Sequence, residues 1–161
     1  MEQTAIGQTV LDDSMLMLSP EDIMRGKYLT FNIHENGFGL EISYVSEIIS
    51  IQKITRVPHT YHYIKGIINL RGTIVPVMDM RLRFSHGEIA YNDRTCIIVI
   101  NTEDICIGLI VDEVSEVVDI VDGNIQPPPP PSSGSVVNNY IRAVATVNEN
   151  VKLLLDLEKI F

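Results

Sequence analysis

The amino-acid sequence predicts an all-β chain built from two copies of one small unit. Three observations carry that reading. From Lys27 onward the apolar residues come in runs of about four to eight, rich in Ile, Val, Leu and Tyr and broken by turns such as Glu35-Asn36-Gly37 and His86-Gly87. No stretch there has the pattern of a long amphipathic helix. The chain also repeats itself: the residues from Gly39 to Ile49 align with those from Gly108 to Val118 at a constant offset of 69, which Asn32 and Asn101 share. Farther on, Tyr63-Ile64-Lys65, Asp79 and Phe84 recur as Tyr140-Ile141-Arg142, Asp156 and Phe161 at an offset of 77. The offset grows by eight between these blocks, and the stretch from Pro127 to Gly134 stands in that gap.

In chain order, residues 1–26 read as a flexible arm with one short helix: Ser19 as N-cap, Pro20 at the first helical position, Asp22 three residues after the cap and Gly26 as the stop. The residues before Ser19 are expected to lack fixed structure. Residues 27–161 form the folded part, with copy one at about 28–84 and copy two at about 95–161. Each copy has room for about five short strands joined by short helices. Curling such a unit into a barrel removes the unpaired edges an open sheet must protect. Neither copy alone commands a large core, so the two should pack together and leave a groove where they meet.

The composition limits the partners. With 161 residues, 45% hydrophobic and 20% charged, the chain can bury a sizeable core. Its net charge of -9 argues against nucleic acid and against an anionic membrane surface. No apolar run reaches the roughly 18 to 20 residues of a membrane span, and the first residues lack the features of a signal peptide, so a cytoplasmic location is expected. The charge is uneven: residues 1–26 carry -4, residues 27–84 carry +3 and residues 85–161 carry -8. Such asymmetry suits either two faces that meet different partners or a simply solvated acidic surface.

Few residues suggest chemistry. His59 and His62 have a metal-like spacing but no neighbouring Cys, Asp or Glu to complete a shell, so a solvated loop pair is expected and no metal or cofactor is implied. Ser85-His86 lacks the elbow and oxyanion loop of a serine hydrolase, and no phosphate-cradling glycine loop occurs. Cys96 and Cys106 lie on the two arms of a hairpin, with Cys106 opposite about Ile100. They are expected to be two buried thiols too far apart to bond. Asp79 and Asp156 each end an apolar segment before a possible helical turn, where a carboxylate caps free amide hydrogens. Pro76 cannot donate to a ladder and points to an edge position or a bulge. The five prolines Pro127 to Pro131 read as a stiff spacer rather than a ligand for a proline-binding domain.

Where the copies differ is more telling. Glu47 recurs as Glu116, yet Arg71 finds only Asn148 at the offset of 77. Glu47 and Arg71 on neighbouring strands of the first barrel can pair, and an exposed ion pair adds little to a fold. Recognition is the more natural purpose of an arginine kept in one copy only.

These residues resemble the CheW chemotaxis coupling family across Lys27 to Phe161. The most specific segments are the stretch from Ile64 to Arg81, with Asn69-Leu70-Arg71-Gly72 at its centre, and the stretch from Gly108 to Val117. The resemblance implies two intertwined five-stranded SH3-like barrels, with strands exchanged between the copies, and no catalytic site. It implies an adaptor that bridges the cytoplasmic hairpin tip of chemoreceptors to the regulatory domain of the histidine kinase CheA, within arrays at the inner face of the membrane. Carried over by position, the receptor-facing residues are Val45, Glu47, Arg71, Val114 and Val117. Helix-in-groove recognition follows, with apolar residues on the helix face and Glu47 and Arg71 fixing register. Related modules that carry a receiver or catalytic domains are longer than this chain, so a stand-alone adaptor is expected. The arm and the proline insertion depart from the family pattern. The competing readings are an adaptor of a non-flagellar sensory pathway and a small enzyme with a site in the inter-barrel groove.

Overall fold

The computed structural model describes residues 24–130 and 137–161, with eleven strands in two sheets. Copy one supplies β1 (Lys27–Ile33), β2 (Asn36–Glu41), β3 (Val45–Ser50), β4 (Ile64–Leu70), β5 (Thr73–Asp79) and α1 (Met80–Arg83). Copy two supplies β6 (Cys96–Asn101), β7 (Cys106–Val111), β8 (Glu113–Asp119), β10 (Ile141–Val147), β11 (Asn150–Leu155) and α2 (Leu157–Ile160), with a two-residue β9 (Ile125–Gln126) before β10. The predicted arm lies, up to residue 23, outside the described residues.

Neither sheet coincides with one repeat. The six-stranded sheet runs β8-β1-β2-β11-β10-β9 and the five-stranded sheet runs β3-β6-β7-β5-β4. Each therefore takes two leading strands from one copy and its later strands from the other. A barrel made of one contiguous copy is thus replaced by an exchange, as the family resemblance implied. The chain crosses between sheets at Ile42–Tyr44, a single 3-10 turn, and at Asp112. Parallel ladders join the halves of each sheet, β2 to β11 through Phe38↔Leu153 and β5 to β7 through Val77↔Gly108.

The exchange explains why β6 reads as an unbroken apolar run. Ile97 and Val99 point into a cluster inside the five-stranded sheet, with Ile68, Val75, Val77 and Ile110. Ile98 and Ile100 point the other way, into the cluster between the sheets, where Leu29, Phe31, Phe38 and Leu40 meet Met78, Leu109 and Val111. A strand buried on both faces cannot alternate. The six-stranded sheet has its own inner cluster of Tyr28, Ile120, Ala143, Ala145 and Leu154. Arg83 stacks 4.5 Å from both Tyr63 and Tyr140, a repeat-related pair. Its Nε donates to Ile160 O at 3.0 Å and its Nη1 to Tyr140 Oη at 2.6 Å, so one arginine ties the two copies together.

Both aspartate caps form. Asp79 accepts from the amides of Arg81 and Leu82, and Asp156 accepts from Glu158. Pro76 stands at an edge position of an otherwise interior strand: it pairs with Ile67 of β4, and it is exposed just before the parallel ladder of β5 with β7 begins at Val77. The bulge lies on the neighbouring β4, between Ile64 and Gly66. The hairpin register is corrected. Asn101, not Ile100, faces Cys106, because the connection from Thr102 to Ile105 is closed by a Thr102 N–H to Ile105 O bond of 2.8 Å. The cysteines are free, at opposite ends of the hairpin, and half-buried rather than buried, since each begins its strand. Pro127 to Pro130 are exposed and outside any strand, while Pro131 lies outside the described residues. Among the described residues no helix is long and apolar enough to cross a membrane.

Candidate partner-binding site

Strand β3 begins as soon as the chain has crossed between sheets, and it is an edge strand. Val45, its first residue, faces Ile100 and packs half-buried on the inter-sheet cluster. A bulge at Ser46 then shifts the register, and Glu47 faces Val99. Such an irregularity re-aims a side chain at a sheet edge.

Arg71 comes from a different place than expected. It sits in the β4–β5 turn, and β3 and β4 are the two opposite edges of the five-stranded sheet, not neighbouring strands. The sheet curls until those edges approach, and the ion pair spans the seam. Arg71 Nη1 donates to Glu47 Oε1 at 3.1 Å, and Nη2 donates to Oε2. This two-pronged arrangement fixes direction as well as charge. The hydrogen bond from Arg71 is the main reason the Glu47 carboxyl is held below the usual carboxylate range; slight burial opposes it.

The turn itself is a tight hairpin. Arg71 and Gly72 both have positive φ, 53° and 89°, the pattern that matches the twist of paired strands. Asn69 Oδ1 accepts the Gly72 N–H at 2.8 Å and locks it. The Arg71 side chain remains 70% exposed against 28% for Glu47, so the guanidinium is anchored at one end and open to a partner.

The valines of β8 stand at the equivalent edge of the other sheet. Val114 faces Phe31 and packs on the same inter-sheet cluster as Val45. Val117 faces Leu29 and is 51% exposed. The bulge opposite Thr30 is filled by that hydroxyl, which donates to Glu116 O at 2.9 Å and accepts the Glu116 N–H at 3.2 Å. The fold thus joins Glu47 to Arg71 and brings Val45 and Val114 to one cluster, while Val117 stands apart on the surface.

Grooves between the sheets exist, but elsewhere. One of about 910 Å³ is lined by Tyr28, Glu41, Tyr44, Thr102 and Arg142, and one of about 680 Å³ continues past the same Tyr44 to Leu157. None of the five predicted residues lines either. The Arg142–Glu41 ion pair on their shared wall, at 2.6 Å, had no signal in the repeat because its members come from different alignment blocks. His59 and His62 are exposed in the loop before β4. Among the described residues no three His, Cys, Asp or Glu side chains converge as a metal site.

The comparisons with known proteins agree with this architecture. The model of the CheW-like domain matches residues 27–161. The chain belongs to the CheW-like family. It is 32% identical over 134 residues to the chemotaxis protein CheW of Klebsiella aerogenes, covering 83% of this chain and 80% of that one. The chemotaxis protein CheW of Treponema pallidum is 28% identical over 137 residues, with 83% and 80% covered. The crystal structure of the scaffolding protein TtCheW from Thermoanaerobacter tengcongensis superposes with a TM-score of 0.77 at 34% identity, covering 84% of this chain and 92% of that one. As a member of the CheW-like family the chain is a non-enzymatic chemotaxis scaffold that couples receptors to CheA.

Proposed function

We propose that the coupling runs through the face that carries Glu47 and Arg71, across which the cytoplasmic hairpin of a chemoreceptor lies, while the regulatory domain of CheA binds elsewhere on the barrels. On this reading the adaptor works at receptor arrays on the inner face of the membrane. Val45, Val114 and Val117 supply apolar contact, and the ion pair sets the register of the receptor helices. Signal transmission needs contacts that differ between two receptor states, not merely tight binding.

The observation that supports this reading most is the ion pair itself. A guanidinium anchored at a sheet seam and otherwise exposed contributes little to folding and offers a fixed donor fork to a partner. The test is a backbone NMR titration of the full chain with a soluble receptor-tip hairpin, for the wild type and for Arg71→Glu. Shifts should cluster on Val45, Glu47, Arg71, Val114 and Val117 and vanish in the variant, whose thermal midpoint stays close to that of the wild type. Absence of shifts at high hairpin concentration overturns the site. A large fall in the midpoint makes Arg71 a structural residue instead.

A further inference from the structure

His34 and His86 lie outside the face just described. Their rings stack with centroids 4.5 Å apart and planes 24° from parallel. His34 is in the turn between β1 and β2 of the six-stranded sheet, and His86 follows α1, which leaves the five-stranded sheet. The contact therefore joins one sheet to the other. Asp112, at the crossing from β7 to β8, fastens it: Oδ2 accepts the His34 backbone N–H at 2.8 Å and Arg81 Nη1 at 2.7 Å. Arg81 Nη2 lies 3.4 Å from His34 Nδ1, and Arg81 Nε donates to Gly87 O at 3.2 Å. The His86 backbone N–H donates to the Arg81 backbone O at 2.7 Å, so the arginine residue holds both histidines.

The charges around the stack are unbalanced. Arg81 is a permanent cation in contact with it, and Asp112 is the carboxylate in contact, already engaged by Arg81. Glu35, Glu113 and Arg94 line the neighbouring cavity beside His34 and Asp112. The Nε2 of His86 is buried and meets no hydrogen-bond partner. A proton there adds a cation close to Arg81 and the His34 ring and creates an N–H with nothing to receive it. Burial first, and then His34 and Arg81, hold His86 below the ordinary histidine range against the pull of Asp112.

We propose that the stacked His34–His86 contact is a proton-sensitive joint between the two sheets, closed while the His86 ring is neutral and loosened when His86 takes up a proton. The sign follows from linkage. The unfolded chain binds a proton on His86 near the ordinary value of about 6.5, and the folded chain resists it. The contribution to stability is therefore complete above that value and declines as pH falls toward the folded value of His86. For one excluded proton the folding constant drops by up to about tenfold per pH unit in that window.

The experiment follows the ring resonances of the full chain by NMR, folded and in urea, and its thermal midpoint between about pH 7.5 and 5.5. His86 should titrate lower in the folded chain than in urea. The wild-type midpoint should fall more steeply with acid than that of His86→Phe, which keeps a ring on His34 and removes the titrating group. The Asp112 amide, which donates to Asn32 O at 3.1 Å across the joint, should open more often in acid in the wild type only, after correction for intrinsic exchange. Equal acid slopes in the two proteins, or a His86 titration unchanged by folding, overturn the proposal. If His86→Phe does not fold, His34→Gln decides: the His86 midpoint should rise when the facing ring is removed, and no rise means that the two rings do not sense each other.

Discussion

The β4–β5 and β10–β11 hairpin turns have the same backbone and different side chains. In both, the two central residues have positive φ: Arg71 and Gly72 at 53° and 89°, Asn148 and Glu149 at 50° and 70°. The pairing of Leu70 with Thr73, and of Val147 with Asn150, sets that geometry in each copy. The side chains most at ease there are Asn followed by Gly, and this chain has divided them, Asn148 in one turn and Gly72 in the other. Copy two keeps the comfortable residue, the uncharged Asn148, at the first position. Copy one holds an arginine there, and the arginine reaches Glu47. What the fold requires is thus shared by the copies, and what it does not require is where they part.

The largest expected break in this symmetry lies one strand earlier. Both β4 and β10 carry a bulge at the same repeat position, Lys65 in one and Arg142 in the other, and the residue that resumes the pairing is Gly66 in the first and Ala143 in the second. Gly66 has φ +147°, and an added Cβ falls 2.1 Å from Thr55 O, because the loop after β3 returns to pair Thr55 with Ile67. Ala143 has no positive φ and is 8% exposed. Gly66→Ala should therefore cost about 3 to 4 kcal/mol by urea unfolding, through strain and overpacking together. Ala143→Gly, the reverse exchange in the other copy, should cost only about 0.5 to 1 kcal/mol. Equal costs would mean that the Thr55 loop gives way freely.

The capping aspartates come next. Asp79 is 3% exposed and accepts three bonds, from Arg81 N at 2.9 Å, Leu82 N at 3.3 Å and Tyr91 Oη at 2.7 Å. Burial above all, with the Asp79 carboxylate, pushes the Tyr91 phenol far above its usual range and keeps it a donor. Asp156 accepts from Glu158 N at 3.1 Å and touches Lys159 only at 4.0 Å. Asp79→Ala should lose the cap and strand the Tyr91 hydroxyl, costing about 2 to 3 kcal/mol in a thermal or urea series. Asp156→Ala should lose the cap alone, about 1 kcal/mol.

These pairs also show what could be read before any coordinates. The repeat revealed two copies, their strands and both caps, because apolar spacing and an aspartate before a helical turn are local signals. It could not reveal which copy's strands share a sheet. The parallel contacts of β2 with β11 and of β5 with β7 join residues far apart in the chain, and only the family resemblance anticipated the exchange. Glu47 and Arg71 stand out by the contrast between copies, but the curl that brings their opposite sheet edges together leaves no mark in a linear pattern. The His34, Arg81 and Asp112 contacts were illegible for the same reason: three elements from both sheets converge there.

The smallest expected change in stability is the sharpest test of the comparison. Arg71→Asn gives the first turn the Asn-Gly pair that its backbone favours. It removes an exposed ion pair, whose hold on a fold is slight. The thermal midpoint should therefore stay level or rise, and calorimetry of wild type and variant side by side would show it. Affinity for the receptor-tip hairpin should fall nonetheless, because copy one would then present what copy two already presents. A variant that is both stable and fully competent in binding would show that the arginine serves neither fold nor partner, and the asymmetry between the turns would carry no function. A variant that unfolds would place the Glu47–Arg71 seam among the contacts that close the barrel. Arg71→Lys should bind the hairpin as weakly as Arg71→Asn, since an ammonium cannot reproduce the two-pronged fork that sets its direction.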